Sequence, residues 1–382
     1  MTFKLYGTPG SLYTAKARSW LIKNGVPFEN RVAGEPRFRE EITPKIGRWI
    51  IPVLETSDGE LLQDGSAIIE RLEADGLARW PTSPTTPRHR LIGQIFELFG
   101  GEGLLRPAMH YRWNFDEANQ PFNALDFAAG LATPGADPSE GAAVFQFAAQ
   151  RMRKAMATFG VSEASIPLVE RSYEQFLDLF DAHLAGSPYL LGGRPTIGDY
   201  GLIAPLYAHL GRDPYPASLM KRRAHRVWRW VERMNAADLD SGEYGYPAPD
   251  LFPDDGVPDT LKALLRFVAE DYLPEVRAYV SFANAWLAER PDLEAGTSGL
   301  ARTSERVIGR ATFDWRGVEI AVGVMPYRLW LLQKVQDAAD AHADNAALNA
   351  LLSETGLGDL VALRTARRVE RVDQLEVWGP AR

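Results

Sequence analysis

The sequence predicts an α+β unit over residues 1–80 and a larger all-α domain over 88–382 that carries a late β-hairpin. Three observations lead there. Strand and helix patterns alternate through the first unit in the order β-α-β-α-β-β-α. A compact linker at 76–88 holds Pro81, Pro84 and Pro87 among Ser and Thr. Beyond it nearly every apolar pattern has the helical period. The length of 382 residues agrees, since single hydrophobic cores stop growing near ~250–300 residues.

Residues 3–6 (Phe-Lys-Leu-Tyr) alternate and run into Gly7-Thr8-Pro9-Gly10, a strand entering a turn. From Ser11 to Asn24 apolar residues recur at Leu12, Ala15, Ala17, Trp20, Leu21 and Ile22, a helix closed by Gly25 with Pro27 beyond. Residues 28–33 read as a second strand, parallel to the first because a helix joins them. A charged stretch from Pro36 to Ile46 has helical character. Asp58-Gly59 then separates the apolar runs 50–56 and 60–63, the strongest short-range hairpin signal. Asp64 to Asp75 begins with a capping residue and continues as a helix. In the second domain helices are expected at roughly 87–112, 139–159, 163–185, 196–210, 217–236, 258–290 and 326–354. Residues 116–138, rich in Gly, Pro, Asn and Asp, read as a long loop. Residues 311–324 have strand composition around a turn at Arg316-Gly317. The tail arginines Arg364, Arg367, Arg368 and Arg371 read as a solvated face.

Composition excludes several classes. A formal net charge of −8 argues against a general nucleic-acid binder, which needs a basic face. The absence of cysteine rules out a disulfide framework, a zinc ribbon, an iron–sulfur cluster and a catalytic thiolate. Any thiol chemistry must use a thiol that a ligand brings. The six His residues have no recognised metal spacing, so no metal is expected. No run of 18 apolar residues occurs and no basic n-region precedes an apolar stretch, so neither a membrane span nor a signal peptide is expected. A cytoplasmic location follows as the expectation.

Pro52 opens a strand that is central in the first unit, and proline cannot donate to a ladder there. Ile51-Pro52 is the natural place for a cis peptide that turns the Ile51 backbone toward a ligand; a trans proline opening an edge strand is the alternative. Together with Leu5-Tyr6-Gly7, Ser11 to Arg18, Ile51-Pro52-Val53-Leu54 and Asp64-Gly65-Ser66-Ala67-Ile68-Ile69-Glu70-Arg71-Leu72, this resembles the thioredoxin-like domain of glutathione S-transferases. Tyr189 to Tyr200 is similar to the second-domain motif of that family, in which a Thr caps a helix and an Asp three residues on answers it. The resemblance covers about 1–80 and 185–235. Residues 95–185 and everything after about 250 lie outside it.

The resemblance implies that Ser11 is the residue that activates glutathione, standing where Cys-type members carry cysteine and Ser-type members their hydroxyl. At the first turn of a helix, free N–H groups and the dipole favour a thiolate, and a serine hydroxyl can donate to it. A plain N-cap is the alternative role for Ser11. Tyr6 and Tyr13 compete for the sulfur, Tyr6 reading better as core. The family's acidic-Ser pair for the γ-glutamyl end falls on Asp64 and Gly65, so Gly65 departs from the pattern, with Ser66 one residue on. Asp64 is suited to the α-ammonium or to a simple cap, and the Gly65 N–H to the α-carboxylate. Arg48, or Lys45, is the candidate for the glycyl carboxylate, and Ile51 with Pro52 for the cysteinyl backbone.

His110 to Phe115 is an aromatic cluster that suits either an acceptor pocket, with Tyr13, Tyr111 and Trp113 lining it, or domain packing. The expected function is a glutathione transferase of the detoxification type, attacking a small apolar electrophile with glutathione as co-substrate, as a homodimer. Two rivals stand beside it: a non-catalytic binding or scaffold protein on the same fold, favoured by Gly65 and the long C-terminal extension, and a glutathione-dependent lyase or etherase.

Overall fold

The computed structural model describes residues 2–381. Its first unit follows the expected order: β1 (Phe3–Gly7), α1 (Leu12–Lys23), β2 (Phe28–Val32), a π-helical turn (Phe38–Ile42) leading into α2 (Thr43–Ile46), β3 (Val53–Glu55), β4 (Leu61–Gln63) and α3 (Gly65–Ala74). The sheet runs β2-β1-β3-β4, with β1 parallel to β2 and antiparallel to β3. Strand alternation sends successive side chains to opposite faces. Leu5 and Leu54 accordingly meet Trp20, Leu21, Ile68, Ile69 and Leu72 under α1 and α3, while Tyr6 and Val53 meet Phe38, Ile42 and Ile46. Ile51-Pro52 is cis.

The helical part comprises α4 (Pro87–Leu98), a π-helical turn (Phe99–Gly103), α5 (Leu105–Trp113), α6 (Asp116–Leu131), α7 (Pro138–Ala155), α8 (Ile166–His183), α9 (Ile197–Ala208), α10 (Pro214–Arg223), α11 (His225–Met234), α12 (Asp259–Asp271) and α13 (Leu273–Ala288). The motif at 189–200 behaves as expected. Thr196 caps α9, and Asp199 accepts from the Thr196 and Leu190 N–H groups at 2.9 and 3.0 Å and from Trp230 Nε1 at 3.2 Å. The π turn crosses α9 so closely that a Cβ on Gly100 would lie 2.4 Å from Gly201 backbone, and one on Gly201 2.4 Å from Glu97 Cα. Glycine is required on both sides of that crossing.

The sequence expectation of a loop at 116–138 is corrected: α6 occupies most of it. Its glycine and asparagine serve contact rather than flexibility. Gly130 abuts the Thr8 side chain, and buried Asn119 donates to the Tyr111 carbonyl at 2.7 Å and accepts from Tyr215 N at 2.9 Å. Acidic Asp116 and Glu117 suit the helix's positive end.

The remainder contains β5 (Gly309–Trp315), β6 (Val318–Val324), α14 (Pro326–Asp340), α15 (Ala346–Thr355), α16 (Gly358–Ala362), β7 (Arg367–Val372) and β8 (Leu375–Ala381). The late hairpin β5–β6 turns on Arg316 and Gly317, both at positive φ, as a two-residue turn requires. A second hairpin, β7–β8, turns on Asp373 and Gln374, also at positive φ. The reading of the tail as only a solvated face is therefore corrected. Arg364 and Arg368 do form exposed pairs with Asp340 and Asp337. Arg371 instead points into the first unit. The hairpin is anchored by Trp378, fully buried against Trp286 with ring centroids 5.9 Å apart.

Candidate functional site

Two helix N-termini face the region expected to act. Ser11, extended at φ −95° and ψ 125°, caps α1 by accepting from Thr14 N at 3.3 Å, and is half-buried. Asp64 caps α3, accepting from Ser66 N at 2.9 Å and Ala67 N at 3.1 Å. Asp64 sits at φ +89°, a conformation a non-glycine residue holds only where its surroundings over-determine it. The two turns touch: a Cβ on Gly65 would lie 3.0 Å from the Tyr13 carbonyl oxygen and 3.3 Å from the Lys16 side chain. A serine at 65 would therefore crowd the first turn of α1.

The Asp64 and Arg48 side chains, the candidates for the two charged ends of glutathione, each already have an internal partner. The Tyr327 hydroxyl donates to Asp64 Oδ2 at 2.7 Å, and Arg371 Nη1 lies 3.6 Å from Asp64 Oδ1. Burial pushes the Asp64 carboxyl up, but Arg371, Lys16 and the Tyr327 hydroxyl outweigh it and hold it below the ordinary value. Arg48, 7% exposed, donates to both oxygens of Glu376 at 2.8 and 3.1 Å. Gln374 accepts from Gln63 N at 3.1 Å and donates to the Leu61 carbonyl at 3.3 Å, covering the outer edge of β4. Arg371 adds a hydrogen bond to Gln63 Oε1. An edge strand left bare would offer its backbone groups to an extended peptide; here Gln374 takes the Gln63 amide and the Leu61 carbonyl.

Ser66 is fully buried, donating to Glu97 at 2.7 Å and accepting from Lys16 Nζ at 2.6 Å. Ser66, one residue beyond the position of the family's serine, is therefore not available to a γ-glutamyl end. Gly65 is likewise buried, while Ile51 is half-buried.

The tyrosines are also committed. Tyr6 is core, as read, and donates to Glu55 at 3.0 Å; burial and that bond push its pKa up to about 12. Tyr13 donates to Glu102 Oε1 at 3.0 Å. Glu102 is carried inward by the π turn and accepts from Arg328 Nε at 2.9 Å; Arg328 reaches Glu275 at 2.7 Å, and Glu275 pairs with Arg106. Burial, reinforced by Glu102, raises the Tyr13 hydroxyl well above its ordinary value, so it stays protonated. Tyr111 and Trp113 are each 2% exposed. Tyr111 packs with Phe115, Tyr173 and Tyr215, and Trp113 with Phe127. Their assignment to an acceptor pocket is corrected: the cluster is interior packing. Between them Arg112 makes a buried fork to Asp213 and donates to the Gly10 carbonyl at 2.9 Å, fixing the turn before Ser11.

Sequence reasoning missed Tyr327, Arg371, Gln374 and Glu376. The available signal was Arg367, Val369 and Arg371 alternating against Leu375 and Val377 across Asp373-Gln374. Among the described residues no group of three or more His, Cys, Asp and Glu could hold a metal, and no helix is long and apolar enough to cross a membrane.

With this geometry in view, residues 5–76 match the family model of the glutathione S-transferase N-terminal domain and 163–233 that of the C-terminal domain. The chain thus carries matches to both domains, which supports its place in the glutathione S-transferase family. Among solved structures it is similar to a glutathione S-transferase from Xanthobacter autotrophicus Py2, at 22% identity over 61% of this chain and 93% of that one, TM-score 0.35. It is similar to one from Methylobacterium radiotolerans in complex with glutathione sulfonate, at 17% identity over 67% and 100%, TM-score 0.36. It is also similar to a β-etherase from Sphingobium sp. strain SYK-6, at 16% identity over 65% and 100%, TM-score 0.41. No curated protein matches the chain in sequence.

Proposed function

We propose that this member of the family fills its glutathione site from within and works as a binding or scaffold protein rather than as a consumer of glutathione. The observation that carries the reading is the pairing of Asp64 with Tyr327 and Arg371 and of Arg48 with Glu376. The matching of charge supports it. Glu376 offers Arg48 a carboxylate, as the glycyl end of glutathione would, and Arg371 offers Asp64 a cation, as the α-ammonium would. Tyr327 belongs to α14, whose residues are buried along most of its length, so its removal would unpack the helical core.

A transferase reading is favoured by one observation: the half-buried Ser11 hydroxyl caps α1 and has no hydrogen bond to the C-terminal segment. In it Ser11 donates to the glutathione thiolate, Ile51 holds the cysteinyl backbone, and Asp64, Gly65 and Arg48 take the two ends, once the segment has moved. The acceptor is then a small apolar electrophile, or an ether or thioether to be cleaved. Turnover of a panel of electrophiles with glutathione separates the two. The binding reading expects no rate above buffer for the native chain; a rate that Ser11→Ala abolishes would overturn it. Family membership also leads us to propose a cytoplasmic homodimer, for which light scattering should give twice the chain mass.

A further inference from the structure

The C-terminal segment leaves more positive charge at this site than it neutralises. Three arginines from separate parts of the chain, Arg48 before β3, Arg306 before β5 and Arg371 in β7, lie close enough for Arg306 and Arg371 to act on the charge of Arg48. The acids facing them are Glu376, 2.8 Å from Arg48 and 3.8 Å from Arg371, and Asp64, 3.6 Å from Arg371. The neighbouring charges close among themselves: Arg328 and Arg106 with Glu102 and Glu275, and Lys16 with Glu97. The trio therefore carries one positive charge in excess.

Each of the three also keeps a buried N–H with no hydrogen-bond partner: Arg48 Nε, Arg306 Nε and Arg371 Nη1. Unsatisfied guanidinium donors in a low-dielectric site are costly, and an anion that accepts from them removes both the charge and the hydrogen-bond deficit. The surroundings are aromatic. The Arg306 guanidinium lies 5.7 Å from the Tyr327 ring centroid, that of Arg371 lies 5.2 Å from Trp330, and Tyr13 meets Tyr327 edge to face at 6.0 Å. Arg306 as a residue is half-buried, with its Nε enclosed.

We propose that Arg48, Arg306 and Arg371 form a binding site for a small organic monocarboxylate whose body packs on Tyr13 and Tyr327. This rests on the binding-protein reading and names the class of ligand. A single carboxylate balances the count, and a planar acceptor suits guanidinium forks.

The test is calorimetric titration of the full chain with benzoate, acetate and inorganic phosphate. Saturable binding of benzoate is expected, tighter than acetate. Arg306→Gln should weaken it at least tenfold, and Arg306→Lys should retain most of it because the charge survives. Glu376→Gln should tighten it several-fold, since the excess charge rises by one; this gain cannot come from damage to the fold. No saturable benzoate binding by the native chain, equal affinity in Arg306→Gln, or weaker binding in Glu376→Gln overturns the proposal. Phosphate binding in preference to benzoate also overturns it. Glutathione turnover with benzoate binding intact sinks the parent reading alone.

Discussion

Replacing the two partners of the Arg48–Glu376 pair should have unequal consequences. Both side chains are almost fully buried, at 5 and 7% side-chain exposure. Removing one member of a buried pair strands the other, at about 3–5 kcal/mol. Glu376→Leu strands Arg48 and withdraws the carboxylate that also faces Arg371 at 3.8 Å, so the full ~3–5 kcal/mol is expected. Arg48→Met leaves Glu376 still facing Arg371, and the loss should be only about 1–3 kcal/mol. The double variant should cost no more than Glu376→Leu alone, because Arg48 is then no longer stranded and Arg371 still faces Asp64. Urea unfolding read by both far-UV dichroism and tryptophan fluorescence supplies the midpoints, two probes being needed for a chain of this size. A cost for Arg48→Met equal to or above that of Glu376→Leu would refute the charge count.

Other consequences follow from the same contacts. Trp378→Ala should destabilise by about 3–5 kcal/mol, since the ring is fully buried on Trp286, and amide exchange should quicken first in β7 and β8. Gly65→Ser should cost about 1–3 kcal/mol in urea by crowding Tyr13 and Lys16, and should not create glutathione binding while Tyr327 holds Asp64. His183 is buried, donating from Nε2 to the Leu190 carbonyl and accepting at Nδ1 from the Thr260 hydroxyl, and burial lowers its pKa to about 4. Its folded value lies below the unfolded one, so the unfolded chain binds the extra proton between about pH 6.5 and 4 and stability falls as pH drops through that window. The loss is about 3 kcal/mol by pH 4, and His183→Gln should flatten that part of the curve; an unchanged slope contradicts the assignment.

Much of the first unit was legible because its signals are local. Asp58-Gly59 marks a hairpin, Ser11 and Asp64 mark helix starts, and Leu5 and Tyr6 alternate across the sheet. The π turn was not legible, since Gly100 and Gly201 owe their identity to a crossing between segments a hundred residues apart. Asn119 and Gly130 suggested a loop for the same reason: their value lies in contacts with Tyr111, Tyr215 and Thr8. At the site, residue types at 11, 48, 51 and 64 were readable as candidates. What fills the space around them was not, because Tyr327, Arg371 and Glu376 approach from more than 250 positions away and each, taken singly, reads as core or surface.

Calorimetric titration of the full chain with glutathione tests the central claim most directly. With Asp64 held by Tyr327 and Arg371, and Arg48 by Glu376, no saturable heat is predicted up to about 10 mM glutathione. Saturable binding of one glutathione per chain in that range, weakened by Asp64→Asn, would contradict it.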